Sequence, residues 1–173
     1  MGLFDRRRRL ELPPAVRAVV PLRSGDRVIA WARDEQTGGH VVASTHSLAF
    51  VGPDDSLAWQ RPWHEAESGT WQGDSGLMTV MWVDRGRRPS QWLIREPSLL
   101  QQALRERVQA SVVLADEFHT PNRRSVRVVI RQDFANGTLL EQVIPGKGAD
   151  VDDPQVAQEA SRRLARLRSE VGL

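Results

Sequence analysis

The sequence contains no cysteine and no tyrosine, and Lys147 is its only lysine. A chain without cysteine forms no disulfide, no thiolate metal site and no cysteine nucleophile, and this absence suits a reducing cytoplasm. No apolar run approaches the roughly 18 residues of a transmembrane helix, and no signal-peptide segment follows the N-terminal arginines. We therefore expect a cytoplasmic protein, with attachment to the inner face of the membrane as the alternative.

The net charge of +2 is concentrated at the N-terminus. Residues 1–9, MGLFDRRRR, hold four arginines and one aspartate, so the remaining residues sum to −1. Since a nucleic-acid-binding domain shows a basic face on its folded part, we do not expect nucleic acid as a partner. We expect residues 1–24 to be a mobile basic start followed by a proline-bracketed segment. The candidate contacts with an anionic membrane or a protein partner are Leu3, Phe4, Arg6, Arg7, Arg8 and Arg9.

The segment Leu57–Trp92 holds five of the six tryptophans and more large apolar surface than any other part of the chain. Its most apolar stretch, Leu77–Val83, predicts a central strand that buries Trp82. Turn residues recur about every ten positions, which is the spacing of a small barrel or sandwich. The sequence predicts seven short strands: Arg27–Arg33, His40–Thr45, Ser47–Val51, Ser56–Gln60, His64–Trp71, Leu77–Val83 and Gln91–Arg95.

The hydrophobic period changes from strand to helix at Pro97. Apolar residues then fall four apart and polar residues occupy the opposite face, which predicts an amphipathic helix over Pro97–Val112 that covers the strands. Its apolar stripe comprises Leu99, Leu100, Ala103, Leu104, Val108 and Val112.

The C-terminal part predicts a hairpin and a helix. Two β-like segments, Ser125–Asp133 and Thr138–Ile144, flank Asn136–Gly137, the strongest hairpin signal in the chain. Asp153 and Pro154 then suit the N-cap and the first position of a helix. The apolar stripe of that helix comprises Val156, Ala160, Leu164, Leu167 and Val171.

Seven strands followed by one amphipathic helix is the order of a pleckstrin-homology-like (PH-like) domain, and local sequences are similar too. VVASTHSLAFVG resembles the second hairpin of bacterial PH-like domains, and WHEAESGTW followed by GLMTVMWVD resembles their later strands. RERVQASVV resembles the helix end of a group of small uncharacterised actinobacterial proteins. The resemblance implies an α+β protein: a seven-stranded antiparallel barrel capped by a helix over residues 25–115, then a β-β-α extension over residues 116–173.

The resemblance implies binding and carries no catalytic residue. PH-like folds bind phosphoinositides, peptides or other proteins, and the lipid-binding members use basic loops at the barrel mouth. Here the first hairpin loop, Asp34–Gly39 (DEQTGG), is acidic. We therefore predict a non-enzymatic module that binds a protein or peptide in a bacterial cytoplasm, without cofactor or metal. The alternative is a peripheral membrane protein that uses the arginine-rich N-terminus and the barrel mouth.

Three patterns suggest chemistry but lack the partners that it needs. Gly73–Gly76 (GDSG) is similar to the nucleophile motif of trypsin-like proteases, but that family builds its site between two barrels, and a tight turn explains the same residues. His64 and Glu65 begin an HExxH zinc motif, which fails because Ser68 occupies the second histidine position. Glu65 and Glu67 would share one side of a strand, where carboxylates are far more often solvated than catalytic.

Five of the six tryptophans divide into two groups. Trp31 and Trp82 alternate with small or apolar neighbours and are predicted to lie in the core. Trp59, Trp63 and Trp71 flank polar residues, and the sequence leaves open which of them are exposed. Exposed tryptophans could stack on a ligand, and cation–π contacts with nearby arginines are the structural alternative.

Overall fold

The computed structural model describes residues 11–95 and 98–172 of the chain. These residues form three helices, one 3₁₀ helix and ten strands, which turns and loops connect. In chain order they are α1 (Pro14–Val19), β1 (Val28–Arg33), β2 (His40–Ser44), β3 (Ser47–Val51), β4 (Leu57–Pro62), the 3₁₀ helix (Trp63–Glu65), β5 (Ala66–Gln72), β6 (Leu77–Trp82), β7 (Ser90–Leu93), α2 (Leu99–Ser111), β8 (Val112–His119), β9 (Ser125–Asp133), β10 (Thr138–Pro145) and α3 (Pro154–Val171).

The ten strands form three antiparallel sheets, which confirms the predicted α+β class. The first sheet has the order β1-β2-β3-β4, the second β5-β6-β7 and the third β10-β9-β8. The predicted seven-stranded barrel is not confirmed, because its strands are divided between two sheets and no sheet closes within residues 11–95 and 98–172.

The first two sheets meet at a corner between β1 and β7, where single hydrogen bonds replace a continuous ladder. The Glu35 backbone N–H donates to the Leu93 carbonyl oxygen at 2.9 Å. The chain passes from the first sheet to the second through the 3₁₀ helix, where the Trp63 N–H extends the β3–β4 pairing to the His46 carbonyl oxygen at 3.4 Å. Strands that bend from one sheet towards the other leave such isolated contacts. The seven strands therefore enclose a core without forming one hydrogen-bonded barrel.

The corner between β1 and β7 is held by the carboxylate of Asp34, which is 1% exposed. Its Oδ1 accepts the Leu93 N–H at 2.8 Å and the Gln36 N–H at 3.2 Å, and its Oδ2 accepts the Thr37 N–H and hydroxyl. A buried carboxylate is costly unless hydrogen bonds compensate it, and these donors do so. The acidic loop at the predicted barrel mouth therefore turns its first carboxylate inward, to join the two sheets.

The main core lies between the first two sheets and α2. Trp63, Trp82 and Trp92 are 1%, 4% and 4% exposed, which confirms that Trp82 is buried. The helix lies close to β5 at Gly69, where a Cβ atom would come within 2.1 Å of Leu104 Cδ2. Since real Cβ atoms do not approach so closely, α2 can pack at this distance only because residue 69 is glycine.

Trp31 is only partly buried, against the prediction that it lies in the main core. Strand residues alternate between the two faces of a sheet. Ala30 and Ala32 face the main core, so Trp31 between them lies on the opposite face. There it packs with a smaller cluster beneath α1, in which Val16 is fully buried.

The start of α2 is fixed by Ser98, whereas the predicted start at Pro97 lies outside the described residues. Ser98 Oγ accepts the Leu100 N–H, and Gln101 Oε1 accepts the Ser98 N–H at 3.2 Å, which forms a capping box. Leu99 is 59% exposed, so its predicted place in the stripe is wrong. It is the first helical residue, and Leu100 beside it takes the core contact. The buried stripe comprises Leu100, Ala103, Leu104 and Val108.

The C-terminal sheet contains one strand more than the predicted β-β-α extension. β8 follows α2 directly and pairs with β9, so the expected boundary after residue 115 falls inside this strand. The predicted hairpin turn is present, because the Gly137 N–H donates to the Asp133 carbonyl oxygen at 2.7 Å and Gly137 has a φ of 68°. That conformation is one that glycine adopts without strain.

The predicted final helix is confirmed at both ends. Asp153 Oδ1 accepts the Gln155 N–H at 2.8 Å, and Gly172 ends α3 in the left-handed conformation with a φ of 75°. The helix packs on one face of the third sheet. Buried residues at this interface include Val126, Val128 and Ile130 from β9 and Val156, Ala160, Leu164 and Leu167 from α3.

Candidate functional site

A polar pocket of about 270 Å³ opens where the second sheet meets the third. Three separate parts of the chain form its walls: the 3₁₀ helix, the end of β6 with its following turn, and β10. The lining residues are Glu65, Trp82, Val83, Asp84, Arg87 and Gln142. The pocket therefore depends on how the C-terminal sheet is placed against the first seven strands.

Glu65 is positioned by the 3₁₀ helix that connects β4 to β5. Trp63 begins this helix and is buried, and its Nε1 donates to the Ser44 carbonyl oxygen at 3.0 Å. The Glu65 carbonyl oxygen accepts the Val83 N–H at 2.9 Å, which ties the helix to the end of β6. The backbone under the Glu65 carboxylate is thus fixed from two sides.

The turn after β6 positions Arg87. Asp84 Oδ1 accepts the Gly86 N–H at 2.9 Å, and its Oδ2 accepts Arg87 Nε at 3.0 Å. The Arg87 N–H closes the same turn onto the Asp84 carbonyl oxygen at 3.1 Å. Both side chains are well exposed, so this pair orders the rim of the pocket more than it stabilises the fold.

The guanidinium of Arg61 stacks on Trp82, one of the residues that line the pocket. Arg61 Cζ lies 4.6 Å from the centroid of the Trp82 ring and 5.3 Å from that of the Trp59 ring. Burial lowers the pKa of Arg61, and the positive charge of Arg87 lowers it further, whereas Glu65 and Asp84 act in the opposite direction. Its Nη1 is buried without a hydrogen-bond partner in the described part of the chain. A donor beside the pocket is therefore unsatisfied.

Gln142 supplies an unsatisfied acceptor in the pocket wall. Its Nε2 donates to the His64 carbonyl oxygen at 2.8 Å, which fixes the orientation of the amide. Its Oε1 is buried and accepts no hydrogen bond from residues 11–95 or 98–172. A buried acceptor without a donor costs free energy, and because almost none of its surface is accessible, a group bound in the pocket does not reach it.

The groups that line the pocket are suited to binding a ligand. The Glu65 and Asp84 carboxylates accept hydrogen bonds, the Arg87 guanidinium donates them, and Trp82 offers an apolar surface. Such a lining can hold a polar side chain or a backbone amide between acceptors and a donor. A volume of about 270 Å³ suits one amino-acid side chain better than a large cofactor.

The predicted contact residues Leu3, Phe4, Arg6, Arg7, Arg8 and Arg9 lie outside the described residues. The Gly73–Gly76 segment forms the predicted tight turn between β5 and β6, with the Gly76 N–H donating to the Gln72 carbonyl oxygen at 2.8 Å. Ser75 Oγ accepts the Leu77 N–H within this turn, and its side chain is exposed.

Glu65 and Glu67 do not share one solvated side of a strand, so that prediction is wrong. Glu65 belongs to the 3₁₀ helix, and Glu67 lies at a bulge in β5. The Glu67 side chain is largely buried, and its Oε1 accepts Arg85 Nη2 at 2.9 Å. The break in strand alternation comes from the bulge, which the sequence did not indicate.

The tryptophans that the sequence left open occupy three different environments. Trp63 is buried, Trp59 is partly buried beneath Arg61, and Trp71 is 39% exposed. The cation–π contacts that the sequence offered as an alternative are therefore present at Trp59. Arg61 also lies over Trp82, which lines the pocket, so these rings are covered and do not form an open stacking surface.

Among the residues that the structure describes, no group of three or more histidine, cysteine, aspartate or glutamate side chains could hold a metal ion. In the same residues, no helix is both long and apolar enough to cross a membrane. The sequence did not indicate Arg87, Gln142 or the turn at Asp84 as site residues. A signal existed only for the turn, where Asp84 and Gly86 precede Pro89.

Comparisons of the chain with protein-family models, with curated proteins and with solved structures find no match.

Proposed function

We propose that this chain is a non-enzymatic binding module for a protein or peptide partner in a bacterial cytoplasm, and that the pocket at the sheet junction receives one polar group of that partner. The observation that carries the proposal is the set of groups that line this pocket, in which the Glu65 and Asp84 carboxylates lie with the Arg87 guanidinium beside Trp82. Hydrogen-bond donors and acceptors of a partner would match these groups.

The order of elements supports a PH-like module. Four strands form one antiparallel sheet, three form a second, and α2 follows them and packs against both β5 and β1. This is the order on which the resemblance to PH-like domains rests. The carboxylates and the guanidinium at the pocket then favour a peptide partner, because amide and charged side-chain groups match both kinds of lining atom.

A displayed library of short random peptides, selected on the immobilised full chain, tests the proposal. Recovered peptides are labelled and titrated by fluorescence anisotropy. Glu65→Gln and Arg87→Gln are expected to weaken binding about tenfold, since each removes a charged hydrogen-bonding group from the lining. Glu106→Gln removes an exposed carboxylate that does not line the pocket, and it should leave the affinity unchanged. Peptides that bind the pocket variants as tightly as the wild type would refute this site.

A peripheral membrane role is the competing function, and it predicts that binding depends on residues 1–9 and not on the pocket. Four arginines near an anionic surface contribute about 1 kcal/mol each. Because the first hairpin loop turns the Asp34 carboxylate inward and supplies no basic residue, we expect weak, salt-sensitive binding to anionic vesicles through residues 1–9 alone. Deleting these residues should abolish sedimentation with phosphatidylglycerol vesicles at near-physiological salt. If the truncated chain still sediments, a lipid site in the folded part replaces the peptide module.

A further inference from the structure

Two turns lie side by side at one end of the third sheet. One joins β8 to β9, and the other follows β10. The Gly146 N–H donates to the Ser125 carbonyl oxygen at 2.8 Å, and a Cβ atom at Gly148 would lie 3.5 Å from Arg124 Nε. The two turns carry three exposed cations, none of which takes part in an ion pair within residues 11–95 and 98–172: Arg123, Arg124 and Lys147.

The β8–β9 turn is rigid because Thr120 closes it from both sides. The Thr120 N–H donates to the Arg124 carbonyl oxygen at 2.8 Å, and Thr120 Oγ1 accepts the Arg124 N–H at 2.9 Å. The Arg123 N–H donates to the Thr120 carbonyl oxygen at 2.8 Å. Thr120 itself is buried, so the two arginines project from a fixed backbone.

Arg123 holds a backbone conformation that favours glycine. Its φ is 60°, and among the described residues only Asp55, with a φ of 57°, shares a positive φ without being glycine. Aspartate tolerates this region better than most residues, because its short side chain can bond to the local backbone, whereas arginine has no such compensation. An arginine at this position therefore lowers stability relative to glycine. A cation at a position where it strains the backbone points to a role for the charge.

We propose that Arg123, Arg124 and Lys147 form a docking site for an acidic segment of a protein partner. Planar guanidinium groups bind carboxylates through paired hydrogen bonds, so two neighbouring arginines suit a carboxylate-rich peptide. Asp150, Asp152 and Asp153 follow on the same loop, and because they repel an extended anionic surface, a short acidic segment suits the three cations better than a flat membrane. This site is independent of the pocket, and either can fail without the other.

Arg123→Gly distinguishes the effect of the charge on binding from its effect on the stability of the fold. Removing the strained conformation should raise the Tm by about 2–4 °C. Removing the charge should at the same time weaken binding of a fluorescein-labelled poly-glutamate peptide about five- to tenfold at near-physiological salt, measured by anisotropy on the full chain. Lys147→Gln should weaken binding as well. A variant that becomes more stable while it binds less tightly cannot owe its loss of binding to misfolding.

Two matched variants control for strain and for net charge. Asp55→Gly relieves the other positive φ, and it should raise the Tm without weakening binding. Arg88→Gln removes an exposed arginine from the turn after β6, and it should change the affinity less than twofold, which measures the effect of losing one positive charge elsewhere on the surface.

Three results would overturn the proposal. They are an unchanged affinity in Arg123→Gly, an equal loss in Arg88→Gln, and no binding of the poly-glutamate peptide by the wild type. Binding to vesicles of phosphatidylglycerol and phosphatidylcholine that depends on Arg123, in the absence of peptide binding, would assign the three cations to a membrane surface.

Discussion

Trp82→Ala is expected to lower the free energy of unfolding by about 3–5 kcal/mol. Trp82 is 4% exposed, and its ring packs edge-on against Trp59 with the centroids 5.4 Å apart. Its Nε1 donates to Ser90 Oγ at 3.1 Å, and the Arg61 guanidinium stacks on its ring. Truncation to alanine removes these contacts together and leaves a cavity in the core at the end of β6. Equilibrium unfolding in urea measures the loss.

Trp71→Ala is the matched control, because it removes the same side chain from a surface position. Trp71 is 39% exposed at the end of β5, where its Nε1 donates to the Ile94 carbonyl oxygen at 3.3 Å. The expected loss is about 1 kcal/mol, the worth of one hydrogen bond and partial burial. Equal losses in the two variants, or a loss below about 1 kcal/mol in Trp82→Ala, would mean that β6 is not the centre of the core.

Elements whose signals lie within a few residues could be predicted from the sequence. Asp153 is the N-cap of α3, Pro154 is its first residue and Gly172 ends it. Hydrogen bonds within one helical turn stabilise both ends. The β9–β10 hairpin depends on Asn136–Gly137 in the same way. These interactions form between sequence neighbours, so composition and order decide them.

Closure of the strands could not be predicted in the same way, because it depends on residues far apart in the chain. The period-2 pattern indicates each strand, but it does not say whether β1 pairs with β7 along a full ladder. In the structure that contact consists of Leu93 bonded to Glu35 and to the Asp34 carboxylate. Similarly, Leu99 lies four residues before Ala103 in the helical period of α2, but it is 59% exposed at the first position of the helix.

The pocket was beyond sequence reasoning for the same reason. Glu65 and Gln142 become neighbours only because the third sheet lies against the 3₁₀ helix, where Gln142 Nε2 bonds to the carbonyl oxygen of His64. The bulge at Glu67 also breaks the alternation that would have placed its carboxylate in solvent. No pattern within either segment indicates this contact.

The contact between the third sheet and the rest of the fold depends on a buried arginine. Arg131 in β9 is fully buried, and its Nη1 donates to the Ala66 carbonyl oxygen at 2.8 Å and to Ser111 Oγ at 2.9 Å. Burial lowers the pKa of Arg131 to about 10, the nearby Arg127 lowers it too, and Glu67 opposes both. One side chain thereby links the third sheet to β5 and to the end of α2.

The lowered pKa means that the buried charge itself is unfavourable. A change from the ordinary arginine value to about 10 corresponds to about 3 kcal/mol. Between these two pKa values the unfolded chain binds more protons than the folded one, so stability rises with pH across that window. At neutral pH, below both values, the whole cost is present. The two hydrogen bonds of Nη1 act against this cost, whereas Nε and Nη2 are buried without a partner among the described residues.

Arg131→Ala is expected to lower the free energy of unfolding by about 3–5 kcal/mol, because it leaves a cavity and removes the donor from the buried Ala66 carbonyl oxygen. Arg131→Met keeps most of the side-chain volume and removes the charge together with the free-energy cost of burying it. The free energy of unfolding should therefore fall by about 1 kcal/mol or less. Urea unfolding of both variants at neutral pH measures the difference. Equal losses of several kcal/mol would mean that the hydrogen bonds to Ala66 and Ser111 outweigh the cost of the buried charge.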